Sequence, residues 1–357
     1  MSLNKKWKKI LLILSFVLLN IIVIAVTAIS EFGNSSNAAE LSSVKINWWL
    51  IIPAVVCFLV AISAEIAKYE VMMKKMSEDK RKARGKEATK KRWQIARRTV
   101  LLGRYYDNIT PAAIGGQPFQ IYYMHKNSGL SSGPATSIPI FGMISGQISF
   151  LIIAIICFLA GNIASTNPAL LITAWVGLLF YAFWPAMVAG VSFFPEPTKK
   201  FLKFGIKVLA KIKIVKNREA ALAKIESSVT EYANSVKLIL KTRGLFIRVL
   251  LYSLVFNVMI ASIPFFVLTA FGGDVSYIEC FVLTIAVMSA VYFIPTPGNT
   301  GAAEGTFFLV FSALSTGYVF WAMLLWRFFS YYIYIIIGPI IYFLMHLEKR
   351  SKDEEKN

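Results

Sequence analysis

Seven ionisable side chains sit inside apolar stretches of this chain: Glu65, Arg104, Asp107, Arg248, Glu279, Glu304 and Arg327. Such groups are costly in apolar surroundings, so each is a functional candidate by default. Arg104 and Asp107 are three residues apart, a spacing that allows a helical pair. Arg327 has Trp326, Tyr331, Tyr332 and Tyr334 around it, and a Glu304–Arg327 pair would offset the cost of burying both. The chemistry of this set is headgroup recognition. Glu304 or Asp107 would meet a cationic part, and Arg327 or Arg104 a phosphate. Either carboxylate is also a candidate proton carrier. The plainer reading is that these are structural ion pairs locking one segment to another. Glu65 and Arg248 lie towards the ends of their apolar runs and are expected to snorkel.

Two short segments break the apolar pattern beside these charges. One is Thr110-Pro111-Ala112-Ala113-Ile114-Gly115-Gly116-Gln117-Pro118. The other is Thr296-Pro297-Gly298-Asn299-Thr300-Gly301-Ala302-Ala303-Glu304. Each has Thr-Pro, three residues, then Gly. Pro removes a backbone donor and Gly permits left-handed backbone, so neither is a smooth helix. Broken backbone at membrane depth is tolerated where it is buried in protein or lines a cavity, and a matched pair of breaks points to a transporter's substrate site. Backbone N–H groups at Gly115-Gly116 and through Gly298 to Gly301 are expected to attract anions such as phosphate. Asn108, Gln117, Gln120, Asn299 and Thr300 are placed to orient a headgroup.

The elements that must position these groups are membrane helices. The chain has 357 residues, 57% hydrophobic, with mean hydropathy +0.61, which marks an all-α polytopic membrane protein. Six stretches reach the roughly 20 residues a span needs: 10–30, 48–68, 138–161, 168–194, 245–271 and 318–345. The N-terminus could be read as a signal peptide cleaved near Val26-Thr27-Ala28. The length of its apolar run and the span that follows favour an uncleaved first helix. Cys57, Cys157 and Cys280 have no metal or disulfide spacing, and the two histidines are far apart, so no metal and no cofactor is expected.

Charge gives the orientation. Segments 70–98 and 195–244 hold 12 Lys/Arg each, and residues 1–9 and 346–357 hold four each. Connections 31–47, 162–167 and 272–277 hold only Lys45. The positive-inside bias places both termini and both basic segments in the cytoplasm. Parity then makes 99–136 and 278–317 opposed re-entrant hairpins, entered from opposite faces. The whole chain, 1–357, reads as a single integral membrane domain. Its units 48–161 and 245–345 form an inverted repeat, and 346–357 is a cytoplasmic tail. The second basic segment carries two apolar stripes, Phe201, Phe204, Val208, Ile212, Val215 and then Leu222, Ile225, Val229, Tyr232, Val236, Ile239. Basic amphipathic helices of this kind bind anionic lipid headgroups. Nucleic acid is not an expected partner, because the charge follows topology and no reading motif accompanies it. Phosphate-binding loops, dinucleotide fingerprints, nucleophile elbows and zinc spacings are missing from the sequence, so an activity as an enzyme is not expected.

The two broken segments, from Ile109 to Pro118 and from Pro295 to Glu304, together with Arg327, Tyr331 and Gly338, resemble the signature segments of the lysylphosphatidylglycerol synthase transmembrane-region family. The resemblance covers roughly residues 10–345. In full-length antimicrobial-peptide-resistance members this region precedes a soluble domain that moves lysine from lysyl-tRNA onto phosphatidylglycerol. The membrane region is held to flip the product outward. No stretch of this chain fits that soluble domain. Gln117 and Gln120 stand where many relatives carry an acidic and a basic residue. The resemblance implies a flippase-like protein of the bacterial cytoplasmic membrane that moves a phospholipid, with an aminoacylated one such as lysyl-phosphatidylglycerol as a candidate. The alternatives are a membrane subunit served by a separately encoded lipid-modifying transferase, and a non-transporting envelope scaffold. The residues expected to line the headgroup path are Asn108, Thr110, Pro111, Gly115, Gly116, Gln117, Pro297, Gly298, Asn299 and Gly301, beside Glu304, Arg327, Arg104 and Asp107.

Overall fold

The computed structural model describes residues 46–77, 86–113, 115–160, 168–211, 239–292, 294–312 and 319–354, with isolated positions between 222 and 237. The expected first span, 10–30, lies outside the described residues, as do Ile212 and Val215 of the first apolar stripe and Ile225 and Tyr232 of the second; Val229, Val236 and Ile239 of the second stripe are buried. Among those described there are eleven α-helices and no strand.

The first half of the chain contains α1 (Ile51–Ser77), a broken pair α2 (Lys86–Ile109) and α3 (Gly116–Asn127), and α4 (Ser132–Ala160). Then come α5 (Pro168–Phe193) and α6 (Pro195–Lys211). The second half repeats the order: α7 (Arg243–Ala270), a broken pair α8 (Tyr277–Val291) and α9 (Ala302–Ser312), then α10 (Val319–Arg327) and α11 (Ile333–Glu354). Among the described residues, four helical stretches are long and apolar enough to cross a membrane: Trp48–Ser77, Ser132–Ala160, Arg243–Ala270 and Val319–Glu348. The first helices of the two halves, α1 and α7, make the most extensive packing in the molecule. Ala54, Ala61 and Ala64 of α1 and Ala261 of α7 are buried, and such small residues let membrane helices approach closely. The outward faces carry exposed Leu59, Leu159, Leu179 and Ile278, and exposed Trp48 and Trp49 stand at the start of α1, as an interfacial aromatic belt requires.

Several boundaries differ from the sequence reading. Helix α1 runs past residue 68 to Ser77, because Tyr69, Met72 and Met73 continue its buried face. The basic stretch expected as a loop over 70–98 is helical from Lys86, and Ile95, Ala96, Thr99 and Val100 are buried, so the first hairpin arm starts inside it. The last span is interrupted by a π turn at Phe328–Tyr332 and then continues into the expected tail as far as Glu354. There Glu348 pairs with Arg98 of α2. The short hairpin arms, α3 with 12 residues and α9 with 11, rise only about 16–18 Å at 1.5 Å per residue, well short of the ~30 Å hydrocarbon core.

Candidate functional site

Both breaks fall where Pro and Gly place them. Helix α2 stops at Ile109, and Pro111–Ala113 form a single 3₁₀ turn with Ala113 at φ 51°. The residue before a proline disfavours helical backbone, and Pro111 has no N–H to continue the ladder. The second break is a 3₁₀ turn at Pro297–Asn299, with Gly298, Asn299 and Gly301 at φ 59°, 57° and 91°. Three left-handed residues in four unroll the chain there. The two turns touch. Gly298 lies against the Tyr331 ring, where a Cβ would collide, and 3.3 Å from the position of that Cβ is the Asn108 carbonyl oxygen. The Asn108 amide in turn donates to the Tyr331 carbonyl at 3.5 Å.

At the second tip the pair anticipated from the sequence is present. Arg327 Nε donates to Glu304 Oε1 at 2.7 Å, with the residues 4% and 1% exposed. Arg327 also donates to the Gly298 carbonyl at 3.1 Å, and its guanidinium stands 4.5 Å from the centre of the Tyr331 ring. The other carboxylate oxygen of Glu304 accepts the Gly301 N–H at 2.7 Å. This is half of a capping box, with the third residue of α9 reaching back to the residue before the helix. Beyond Arg327, Trp326 stacks on Phe307 of α9 at 4.6 Å.

The first tip uses the same device. Asp107 Oδ1 accepts the Gly116 N–H at 2.9 Å, and Thr110 Oγ1 accepts the Gly115 N–H at 2.9 Å while donating to the Tyr106 carbonyl. A Cβ at Gly116 would fall on the Asp107 carboxylate. The expected Arg104–Asp107 ion pair is therefore not formed, because the positive end of α3 takes the carboxylate instead. The expectation that the tip N–H groups stand open to phosphate is also corrected. Each re-entering helix, α3 and α9, already has a carboxylate of the protein at its N-terminus.

Other predicted groups have local duties. Gln120 accepts from the Tyr69 hydroxyl at 3.1 Å, and Thr300 donates to the Pro297 carbonyl at 2.8 Å. Buried oxygens of Gln117, Thr296 and Ser330 find no hydrogen-bond partner. These three lie at the tips or in the π turn, while Gln147, within α4, carries another such oxygen. Arg248 and Glu279 are exposed.

Sequence reasoning missed one cluster. Lys68 is 1% exposed. Its ammonium pairs with Glu65 at 2.8 Å and donates to the Gly142 carbonyl at 2.9 Å and Ser253 Oγ at 3.3 Å. Ser253 passes the chain to Ser145 at 3.1 Å. Glu65 thus does not snorkel; it is held inside by a lysine one turn away. This network joins α1, α4 and α7. The apolar run's abrupt change at Lys68 reads as an interface, and nothing local signals partners in α4 and α7.

Arg104 is the exception among the interior charges. It makes no hydrogen bond and no ion pair with the described residues; its guanidinium lies 4.7 Å from the centre of the Phe256 ring. Unlike Lys68 and Arg327, it is partly exposed.

A family described as Lysylphosphatidylglycerol synthase TM region matches residues 10–338 of the chain. No curated protein and no solved structure matches it.

Proposed function

The chain belongs to the lysylphosphatidylglycerol synthase transmembrane-region family, a membrane family tied to lysyl-phosphatidylglycerol metabolism, and on that premise we propose that it translocates a phospholipid across the bilayer. The observation that carries the reading is the meeting of the two broken tips inside the helix bundle, with Arg104, Asp107, Glu304 and Arg327 on or beside them. A polar headgroup needs a polar path at bilayer depth, while its acyl chains stay in lipid. Two opposed hairpins related by an inverted repeat supply that path from both faces. Within this scheme the Glu304–Arg327 pair clamps the second tip and Asp107 caps the first, so both tips hold their shape while a headgroup passes between them. Nothing in the sequence supplies nucleotide hydrolysis, so movement is passive or driven by an ion gradient.

The topology that fits this function puts both termini and the basic segments on the cytoplasmic face of a bacterial cytoplasmic membrane. Helix α6 then lies on that surface. Its Phe201 and Phe204 are 75% and 65% exposed beside Lys199, Lys200 and Lys203, a pattern suited to an anionic lipid interface. Lys199 bonds Glu196 at 2.7 Å and holds its carboxyl below the usual range.

The test is headgroup accessibility in proteoliposomes, with phosphatidylglycerol, lysyl-phosphatidylglycerol and phosphatidylethanolamine as the panel. Protein-dependent movement of at least one lipid, slowed by Glu304→Gln, supports translocation. No movement of any lipid by folded, inserted protein would turn attention to a membrane subunit that depends on a transferase partner.

A further inference from the structure

Resting on the translocation reading, we propose that Arg104 is the phosphate ligand of the lipid path, so that the substrate class is set by a phosphate group and not by the headgroup's cationic part.

The argument is a census of interior charge. Glu65 is matched by Lys68, Glu304 by Arg327, and Asp107 by the positive end of α3. Among the described residues the two buried cations are consumed: Lys68 makes three polar contacts, and Arg327 gives its donors to Glu304 and Gly298. Among the described interior cations, the partly exposed Arg104 alone keeps its donors free.

Its depth follows from its neighbour. Phe256 is the fourteenth of the 28 residues of α7, so the guanidinium stacked on it sits at the middle of a spanning helix. Elements from both halves converge there, because Glu65 and Tyr69 of α1, Tyr181 of α5 and Tyr334 of α11 lie within electrostatic reach of its charge. An arginine at that depth is expensive, and a ring face returns only part of the cost. Guanidinium geometry matches a phosphate with two parallel N–H···O bonds. Asp107, one turn away, is held by the Gly116 N–H and forms no ion pair with Arg104, although Glu65 and Asp107 both lie within electrostatic reach of the guanidinium. Arginine 327, the stronger candidate from sequence, is excluded by its own carboxylate partner.

The experiment compares wild type, Arg104→Lys and Arg104→Gln in proteoliposomes carrying phosphatidylglycerol or, separately, diglucosyl-diacylglycerol, which has no phosphate. Phosphatidylglycerol movement by Arg104→Gln should fall about 10- to 100-fold, the loss of charge-assisted bonds, with Arg104→Lys between. Wild type should leave the phosphate-free glycolipid where it is. Equal rates for Arg104→Gln and wild type, or equal movement of the two lipids, would overturn the assignment. Should wild type move no lipid, the translocation reading fails by itself, and native mass spectrometry of retained phosphatidylglycerol decides the ligand question. Loss of bound lipid in Arg104→Gln supports the proposal, and unchanged retention sinks it. The thermal midpoint is the control for a merely structural role. Removing a cation that makes no hydrogen bond and no ion pair should leave it unchanged or raise it, whereas a clear fall would mean that Arg104 holds the fold.

Discussion

Neutralising Glu304 and Arg327 singly and together gives the sharpest test of how the second tip is held. In Glu304→Gln, the buried Arg327 loses its carboxylate and keeps the Gly298 carbonyl and the Tyr331 and Trp326 rings, and Gly301 loses a charged acceptor. Breaking one side of a buried pair costs about 3–5 kcal/mol. Arg327→Gln leaves Glu304 with the Gly301 N–H alone, and the cost is about 3 kcal/mol, the low end of that range. The double variant buries two neutral amides that can bond to each other. Its loss should be about 2–4 kcal/mol, far below the sum of the singles, which gives a coupling of roughly 3 kcal/mol. Unfolding in mixed micelles measures these differences, and the thermal midpoint of either single should drop by on the order of 5–10 °C. Additive losses, with coupling under about 0.5 kcal/mol, would mean that the 2.7 Å contact contributes little and that the tip is held by its backbone turns alone.

Three further outcomes follow from the same geometry. Gly298→Ala combines a left-handed φ of 59° with a collision against Tyr331, so it should lose more than the ~1–2 kcal/mol of the backbone alone, read by the same unfolding assay. Lys68→Met leaves Glu65 buried without its cation and should destabilise by about 3–5 kcal/mol; adding Glu65→Gln should recover most of that, and failure to recover would show that Lys68 acts through Gly142 and Ser253 instead. Replacing Phe201 and Phe204 with Ser should leave the thermal midpoint unchanged while abolishing protection of α6 from proteolysis by phosphatidylglycerol vesicles, because neither ring is buried against protein.

The breaks were legible in the sequence because Pro and Gly act locally. The Glu304–Arg327 pair was legible because two charges in apolar sequence must find partners, and each was the other's natural choice. Arg104 and Asp107 show where such reasoning stops. Their spacing permits a pair, but the N-terminus of α3, nine residues further along, competes for the carboxylate and wins. Lys68 was overlooked because Glu70, Lys74 and Lys75 follow it, so it resembled the edge of a basic loop. Its partners at Gly142 and Ser253 are 74 and 185 positions away, and no local pattern encodes them.

The π turn at Phe328–Tyr332 has a consequence for the rotational phase of the last span. A π turn accommodates one residue more than an α-turn would. If that residue were taken up into regular helix, everything after it would swing by about 100° around the axis and shift by about 1.5 Å. Tyr334 would leave its place beside Phe58, Tyr342 would leave Tyr106, and Gly338 would no longer face the Tyr105 ring. The span therefore carries a built-in indexing step immediately beyond Arg327. Deleting one residue from 328–332 would turn the whole terminal half of the helix onto a different face, as a key turned one notch in its lock.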